Sequence, residues 1–207
     1  MFTVDRRVWH FTRGENLHSI FAAGRLDCDR NATPAVSVGN PRIKAARAER
    51  AVPIAPGGFV SDYVPFYFKP RRPMFVSVVD QSAEGWQARQ RKLVYCVTSP
   101  ARLADAGCTV LYSDRNARLE LARFMDDGAV CPIDWQLIDS TNWGWITSQD
   151  DWKAFAQAEL LARDFVPLEA LEVIGVRDAV VQRRVEQIMA EHDVTIPVRV
   201  ESGWYLS

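Results

Sequence analysis

Hydrophobic positions recur along the chain with two spacings, one typical of helices and one of strands. Apolar residues three or four positions apart predict helices at 15–24, where Leu17, Ile20 and Phe21 share one face, and at 179–192. Strands mixed with helices, with no internal repeat and no flexible linker, predict one α+β domain over residues 1–207. Short apolar runs bounded by turn residues predict the strands, at 4–11, 63–68, 73–79, 92–98, 108–112, 171–177, 196–200 and 203–206.

Turn residues mark where helices end, and the remaining segments have less regular patterns of apolar residues. Gly24 stands where a left-handed residue ends the first helix, and Pro53 and Pro56 prevent the next one from continuing. The pattern at 153–163 is ambiguous between strand and helix. The other segments are predicted as a loop at 27–41, basic helical turns at 42–51, helices at 100–107 and 115–126, a tryptophan-rich connection at 132–152 and a turn at 165–168.

Composition and charge add one asymmetry to this picture. Apolar residues make up 48% and charged residues 25% of the chain, which is ordinary for a globular protein with a real core. The net charge of −1 conceals a basic segment at 42–92, with ten basic and four acidic side chains. Such a segment is either a polyanion-binding groove or a solvated basic face, and charge alone leaves both interpretations open.

The sequence also argues against several classes of protein. The first residues, MFTVDRRVWHF, contain no long apolar run, and no stretch approaches the ~18 apolar residues of a membrane span. We therefore expect a cytoplasmic protein without a membrane segment, and a monomer. No C-x-x-C pair and no histidine cluster is present, so we expect free thiols and no bound metal. Motifs of dinucleotide-binding Rossmann folds, P-loops, serine hydrolases and zinc proteases are absent.

Four polar features remain as candidates for chemistry. His10 and Thr12 end a strand, where they either contact a ribose or amide or form a packed histidine and a helix cap. Arg47 shares a helix face with Lys44 and Arg50, which by itself is typical of a solvated face. The aromatic block at 62–74 ends in cations, and it suits either stacking on bases or ordinary core packing. Glu159 stands in an otherwise apolar run.

Four motifs, taken together, resemble a known family. The first is HFT-x-x-x-NL from His10 to Leu17, and the second is Pro56-Gly57-Gly58 followed by DYVPFYF-x-PR-x-PM. The others are Ser113-Asp114-Arg115 with Ala122-Arg123-Phe124, and Gln157-Ala158-Glu159-Leu160. In this order and spacing, over nearly the whole chain, they resemble the DarT family of toxins that ADP-ribosylate DNA.

The resemblance implies a fold, a reaction and two partners. The fold would be that of ADP-ribosyltransferases, a split pair of antiparallel sheets around an NAD cleft with helices outside. The donor co-substrate would be NAD, and the acceptor a nucleobase in single-stranded DNA. A macrodomain antitoxin would remove the modification.

The resemblance also assigns roles to individual residues. The catalytic glutamate falls on Glu159 and the reactive arginine on Arg47, which also serves NAD binding. The acceptor would be read by the loop before the glutamate, although Asn116 stands where some members of the family have a histidine. The remaining NAD-binding residues would be His10, Thr12, Asn16 and Tyr67, and the acceptor-binding residues Arg115, Asn116, Trp143, Trp145 and Lys153.

Two alternatives stay open from the sequence. The chain could be an enzyme of this type that modifies RNA, or a non-catalytic nucleic-acid-binding module. The second is disfavoured because His10, Arg47 and Glu159 occur together. Turnover of NAD with and without single-stranded DNA would discriminate between the two classes.

Overall fold

An eight-stranded sheet forms the centre of the fold in a computed structural model, which describes residues 6–38, 40–71, 75, 86–126, 130–140 and 152–206. Its strand order is β10-β9-β4-β1-β3-β7-β5-β6, and β2 and β8 make a separate two-stranded sheet. The described pairs are antiparallel except β9 with β10. The strands are β1 Val8–Arg13, β2 Arg25–Asp27, β3 Tyr63–Tyr67, β4 Leu93–Thr98, β5 Val110–Ser113, β6 Phe124–Met125, β7 Glu159–Arg163, β8 Phe165–Pro167, β9 Val173–Val176 and β10 Val198–Val200.

The large sheet is split between β1 and β3. These neighbours pair at a single position, Trp9 with Tyr67, whereas β1 pairs with β4 at every position from Val8 to Arg13. The half formed by β10, β9, β4 and β1 therefore separates from the half formed by β3, β7, β5 and β6 on one side of that pair. This split confirms the predicted fold class.

Helices surround the two halves and begin at residues suited to that position. The long C-terminal helix starts after Asp178, whose Oδ1 accepts from the N–H groups of Val180 and Val181 at 3.1 and 3.2 Å. Its buried residues recur with helical spacing and pack into the main core. The helices are α1 Leu17–Ala23, α2 Pro41–Glu49, α3 Trp86–Gln90, α4 Pro100–Asp105, α5 Trp135–Asp139, α6 Trp152–Phe155 and α7 Ala179–Glu191.

Several sequence predictions are confirmed and several are wrong. Gly24 ends α1 in the left-handed conformation, with a φ of 67°. The predicted helix at 115–126 is wrong, because the side chains of Asp114 and Asn116 accept the N–H groups of Arg123 and Arg118 and hold the chain in turns. The segment 165–168 contains β8 instead of a turn, and 153–163 contains both a helix and a strand.

The C-terminal end differs from its predicted strand pair. Only its first member is a strand, β10, and residues Ser202–Trp204 form a 3-10 turn instead. This turn presses Trp204 onto Gly175 so closely that a Cβ at that glycine would lie 2.2 Å from the indole ring. The predicted strand at 73–79 lies outside the described residues except for Phe75, which is buried and helical.

The glycine motif before β3 has a structural role. Gly58 has a φ of +82°, and a Cβ there would lie 2.4 Å from Asp62 Oδ2. The carbonyl of Gly57 accepts from the Tyr63 hydroxyl at 2.7 Å and from Arg163 Nη1 at 2.6 Å. The turn therefore fixes the start of β3 against β7, the strand that carries Glu159.

Two further properties concern the described residues alone. None of their helices is long and apolar enough to cross a membrane. They also contain no group of three or more His, Cys, Asp and Glu side chains arranged to hold a metal ion.

Candidate active site

A deep cleft follows the split in the sheet. His10 and Thr12 line it from β1, Tyr67 from β3 and Arg47 from α2. The loop between β2 and α2 covers it on one side, with Asp29 among its lining residues. Four predicted residues from three separate segments of the chain therefore meet at one cleft.

A buried ion pair joins Arg47, which lines the cleft, to Glu159 at the start of β7. Arg47 Nη1 lies 3.1 Å from Oε1 and 2.9 Å from Oε2 of Glu159. Glu159 is 0% exposed and Arg47 is 7% exposed. Each charge has therefore lost most of its hydration, and the opposite charge compensates for that loss. Asn40 caps α2 by accepting a hydrogen bond from the N–H of Arg42 at 2.8 Å, and Pro41 is the first residue of the helix. These two residues fix the start of α2, the helix that carries the buried Arg47.

Glu159 is also held by its strand neighbours through its backbone and by Ala117 through its carboxylate. Glu159 opens β7 opposite Tyr67 on one side and Ser113 on the other. Its N–H donates to Ser113 Oγ at 3.3 Å, and the N–H of Ala117 donates to its Oε1 at 3.4 Å. Ser113 Oγ also donates to the carbonyl of Arg115 at 2.8 Å, which ties the loop after β5 to the catalytic position.

Arg47 keeps an unused donor. Its Nη2 is buried and has no hydrogen-bond partner among the described residues. Burial alone would lower the pKa of Arg47, but the neighbouring Glu159 carboxylate and Tyr67 phenol raise that pKa above its usual value. Arg47 is therefore a permanent cation with a free N–H group, suited to an anionic or carbonyl ligand and unsuited to accepting a proton.

Tyr67 lies directly across the strand pair from Glu159. Its ring stacks on Phe11, with centroids 6.1 Å apart and planes 18° apart. Burial, followed by the Glu159 carboxylate, raises the pKa of its phenol well above the usual value. Tyr67 therefore stays neutral and presents a fixed aromatic wall and a hydroxyl to the cleft.

His10 spans the split between the two halves of the sheet. Its Nδ1 lies 2.9 Å from the carbonyl oxygen of Pro65 on β3. A carbonyl only accepts, so we assign the proton to Nδ1 and an acceptor lone pair to Nε2. Burial lowers the pKa of His10 to about 4, which keeps the imidazole neutral at physiological pH.

The burial of His10 predicts that the stability of the protein depends on pH. Between pH 6.5 and about 4 the unfolded chain protonates His10 and the folded chain does not, so the free energy of unfolding falls as the pH decreases. The loss attributable to His10 should reach roughly 3 kcal/mol at the lower end. Denaturant titrations of wild type and His10→Asn between pH 7 and 4 measure it. The variant, whose amide still donates to Pro65, should lose less; parallel curves would contradict the assignment.

Asn16 and Thr12 hold the loop that covers the cleft. The Asn16 amide accepts from Val36 N–H at 2.9 Å and donates to the Val36 carbonyl at 2.9 Å. It also donates to Thr12 Oγ1 at 3.1 Å, which leaves the hydroxyl hydrogen of Thr12 to donate elsewhere. Both are buried at the cleft, so Asn16 has a positioning role in addition to its predicted contact with NAD.

The predicted acceptor residues gather on the other side of Glu159. Arg115 pairs with Asp114 and lies over the Phe155 ring, with Cζ 4.1 Å from its centroid. Asn116 is buried and donates to Gln157 Oε1 at 2.9 Å, and Lys153 is exposed on α6. Trp143 and Trp145, also predicted here, lie outside the described residues.

Two residues of the site carried no role in the sequence analysis. Ser113 was visible only as part of a motif, because a serine inside a strand carries no signal of what it contacts. Asp29 pairs with Lys44 at the cleft, and both line it. Lys44 pairs with Asp29 and Arg47 pairs with Glu159. The interpretation of this helix face as solvated basic side chains is therefore wrong for these two residues.

Known proteins match this chain along most of its length. A family model described as ssDNA thymidine ADP-ribosyltransferase, DarT, matches residues 9–206. A DNA ADP-ribosyl transferase from Thermus aquaticus is 33% identical over 208 residues, covering 99% of this chain and 90% of the relative. One from Mycobacterium tuberculosis is 30% identical over 190 residues, covering 89% and 82%.

Solved structures resemble the fold over its full length. DarT of Thermus sp. 2.9 in complex with ADP-ribosylated ssDNA has a TM-score of 0.88 at 28% identity, covering 98% of this chain and 97% of the other. The same protein in complex with NAD+ has a TM-score of 0.83 at 26% identity, with full coverage of both chains. Fold and site thus define an NAD-dependent DNA ADP-ribosyltransferase. The chain belongs to the DarT family.

Proposed function

We propose that this chain transfers ADP-ribose from NAD to the base of a thymidine in single-stranded DNA, with Glu159 and Arg47 as its catalytic residues. The observation that carries the residue assignment is the buried Arg47–Glu159 pair, in which Arg47 Nη2 has no hydrogen-bond partner among the described residues. Thymidine is the acceptor named in the description of the family. The Thermus sp. 2.9 relative was solved with NAD+ and with ADP-ribosylated ssDNA.

Glu159 is suited to stabilise the breaking of the bond between nicotinamide and ribose. As that bond breaks, its electrons leave with the nicotinamide, and positive charge develops on the ribose ring, as in glycoside hydrolysis. A buried carboxylate that accepts a hydrogen bond from the ribose 2′-hydroxyl stabilises this charge more in the transition state than in the ground state. Arg47 and Ala117 hold the carboxylate in one orientation beforehand, and Ser113 holds the backbone N–H of the same residue.

Arg47 is suited to the acceptor base. The ring nitrogen of thymine that still carries a hydrogen in DNA is N3, and its attack on the ribose carbon forms the new bond while its proton must leave. A guanidinium beside the base stabilises the negative charge that develops on its oxygens. The proton acceptor we propose is the Glu159 carboxylate once nicotinamide has left, because Arg47 itself stays protonated.

The NAD-binding roles follow the walls of the cleft. His10 offers an acceptor at Nε2, and Thr12 offers a hydroxyl hydrogen, so the two suit a ribose hydroxyl and an amide. Tyr67 forms the aromatic wall beside Glu159, where a nicotinamide ring would stack.

We also propose a cytoplasmic location for this protein, because NAD and DNA, its two proposed substrates, are found inside cells.

The acceptor test uses single-stranded DNA, duplex DNA and RNA of one thymidine-containing sequence, with uridine in the RNA. Each is incubated with NAD and analysed by mass spectrometry. We expect one ADP-ribose on single-stranded DNA, retained after phosphatase treatment, and much less on the duplex, because extruding a base costs a few kcal/mol. Replacing the thymidines with cytidines should abolish the product. Modification of RNA alone, or of protein alone, would contradict the proposal.

We also propose that a macrodomain antitoxin reverses the modification, as the family resemblance implies. A macrodomain hydrolase added to the modified oligonucleotide should return its mass to the unmodified value. An ADP-ribosyl adduct that resists such hydrolases would contradict this part of the proposal.

A further inference from the structure

The loop at 116–123 is built as a compact support beside Glu159. It makes two successive turns, in which Leu119 N–H donates to the Asn116 carbonyl and Ala122 N–H to the Leu119 carbonyl, both at 3.0 Å. Its ends are held by Asp114 and by the backbone of α6. Its Ala117 N–H donates to Glu159 Oε1, so the loop is joined directly to the carboxylate that we assign to catalysis.

Three arginines gather at this loop without carboxylate partners in the described part of the chain. Arg118 and Arg123 belong to the loop, and Arg50 lies one helical turn after Arg47 and donates to the Glu120 carbonyl at 2.9 Å. The Nε groups of Arg50 and Arg118 are buried and have no hydrogen-bond partner among the described residues. Other arginines differ, since Arg25 and Arg30 pair with aspartates.

An exposed apolar residue stands between Arg118 and Arg123 in the sequence of this loop. Leu121 is 75% exposed, the largest fraction among the exposed large hydrophobic residues of the described chain. Arginines without carboxylate partners, at the same loop as an exposed apolar residue, match the chemistry of a single strand, which offers phosphates and flat apolar base faces. Glu120 is the carboxylate on the loop and opposes this charge.

We infer that Arg50, Arg118, Arg123 and Leu121 form an acceptor-strand surface, which binds the single-stranded DNA on either side of the base that enters the site. The arginines bind phosphates, and Leu121 packs on the face of a neighbouring base. This surface extends the predicted acceptor site beyond Arg115, Asn116 and Lys153. It rests on DNA as acceptor and is independent of the assigned catalytic roles.

The matched test compares two double variants with the same change in charge. Arg118→Gln with Arg123→Gln removes two cations from the surface. Arg183→Gln with Arg184→Gln removes two exposed cations from α7, which packs on β9 and β10 at the opposite edge of the sheet. The Kd of a labelled single-stranded oligothymidine is measured without NAD at several salt concentrations, and thermal unfolding checks the fold.

We expect the slope of log K against log salt to become shallower by about 1.4 in the first double variant, since each contact with a single-strand phosphate contributes about 0.7. The affinity should be roughly 25-fold weaker at 0.1 M salt and similar at 1 M salt. The α7 double variant should keep the wild-type slope. Equal slopes in all three proteins, or equal losses in both variants, would overturn the inference.

Three further variants separate charge from packing. Arg118→Lys with Arg123→Lys should restore most of the slope, which a purely structural role would not predict. Leu121→Ala should weaken binding about three- to tenfold with the slope unchanged, while Val180→Ala, at another exposed apolar residue, should have no effect. Glu120→Gln should tighten binding. Wild-type affinity in Leu121→Ala, or no gain in Glu120→Gln, would contradict the corresponding contact.

Because binding is measured without NAD, this test does not depend on the proposed transfer. A protein that binds DNA through this surface but modifies no oligonucleotide would contradict the proposed function alone. A protein that modifies single-stranded DNA but shows the wild-type salt slope in Arg118→Gln with Arg123→Gln would contradict the surface alone.

Discussion

Glu159→Gln should reduce ADP-ribose transfer to single-stranded DNA by ~10²–10³-fold, the usual cost of one preorganised electrostatic contact in a transition state. The amide has the same shape as the carboxylate and can remain beside Ser113 and Ala117. It carries no charge, so it neither stabilises the developing positive ribose nor accepts the thymine proton. Mass spectrometry of the oligonucleotide product over time gives the rate.

Two controls keep this result interpretable. Thermal unfolding should show a folded protein with a lower midpoint, because Arg47 loses the counter-charge that offsets its burial. Binding of NAD should persist, because His10, Thr12 and Tyr67 are unchanged. Transfer at close to the wild-type rate would exclude Glu159 as the catalytic carboxylate.

Arg47→Ala should reduce transfer by at least about a hundredfold, whereas Arg50→Ala should reduce it by less than about tenfold. Arg47 lies on α2 and Arg50 directly follows it, but Arg47 contacts Glu159 and has a buried Nη2 without a hydrogen-bond partner among the described residues. Arg47→Lys should restore little, because an ammonium cannot provide one donor for Glu159 and a second, rigidly placed donor for the base. Initial rates at saturating NAD and DNA measure the difference.

The stability of the Arg47 variant needs its own control. Removing the guanidinium leaves the Glu159 carboxylate buried without a counter-charge, a change that typically costs 3–5 kcal/mol. Arg47→Ala with Glu159→Gln should therefore be more stable than Arg47→Ala alone while remaining inactive. Equal, mild losses of rate in Arg47→Ala and Arg50→Ala would indicate a general basic face.

The elements with strong local signals could be predicted from the sequence. The helix at 179–192 has an apolar stripe and an aspartate cap, and Gly24 is suited to a left-handed residue, so both are confirmed. The segment 115–126 could not be predicted, because side-chain hydrogen bonds from Asp114 and Asn116 outweigh its helical pattern. The strand at β8 was missed because only its partner β2 gives it a ladder.

The site shows the same division. The motifs that resemble the family located the cleft residues, and the structure brings His10, Thr12, Tyr67 and Arg47 to one cavity. The sequence could not reveal that Asn16 clamps Val36, because this contact joins positions 20 residues apart across a loop. Ser113 was equally hidden, because its role arises from the register that places β5 beside β7.

The single pairing between β1 and β3 divides residues that we assign to NAD from the loop that we assign to DNA. His10 and Thr12, which we assign to the donor, belong to the half that contains β1, whereas Glu159 and the loop at 116–123 belong to the half that contains β7. Only the Trp9–Tyr67 pair joins the two halves within the ladder. Substitutions of loop side chains can therefore change which DNA sequence is accepted while His10 and Thr12 keep the contacts with NAD that we assign to them. A chain built in this way can acquire new target DNA sequences in evolution and keep NAD as its donor.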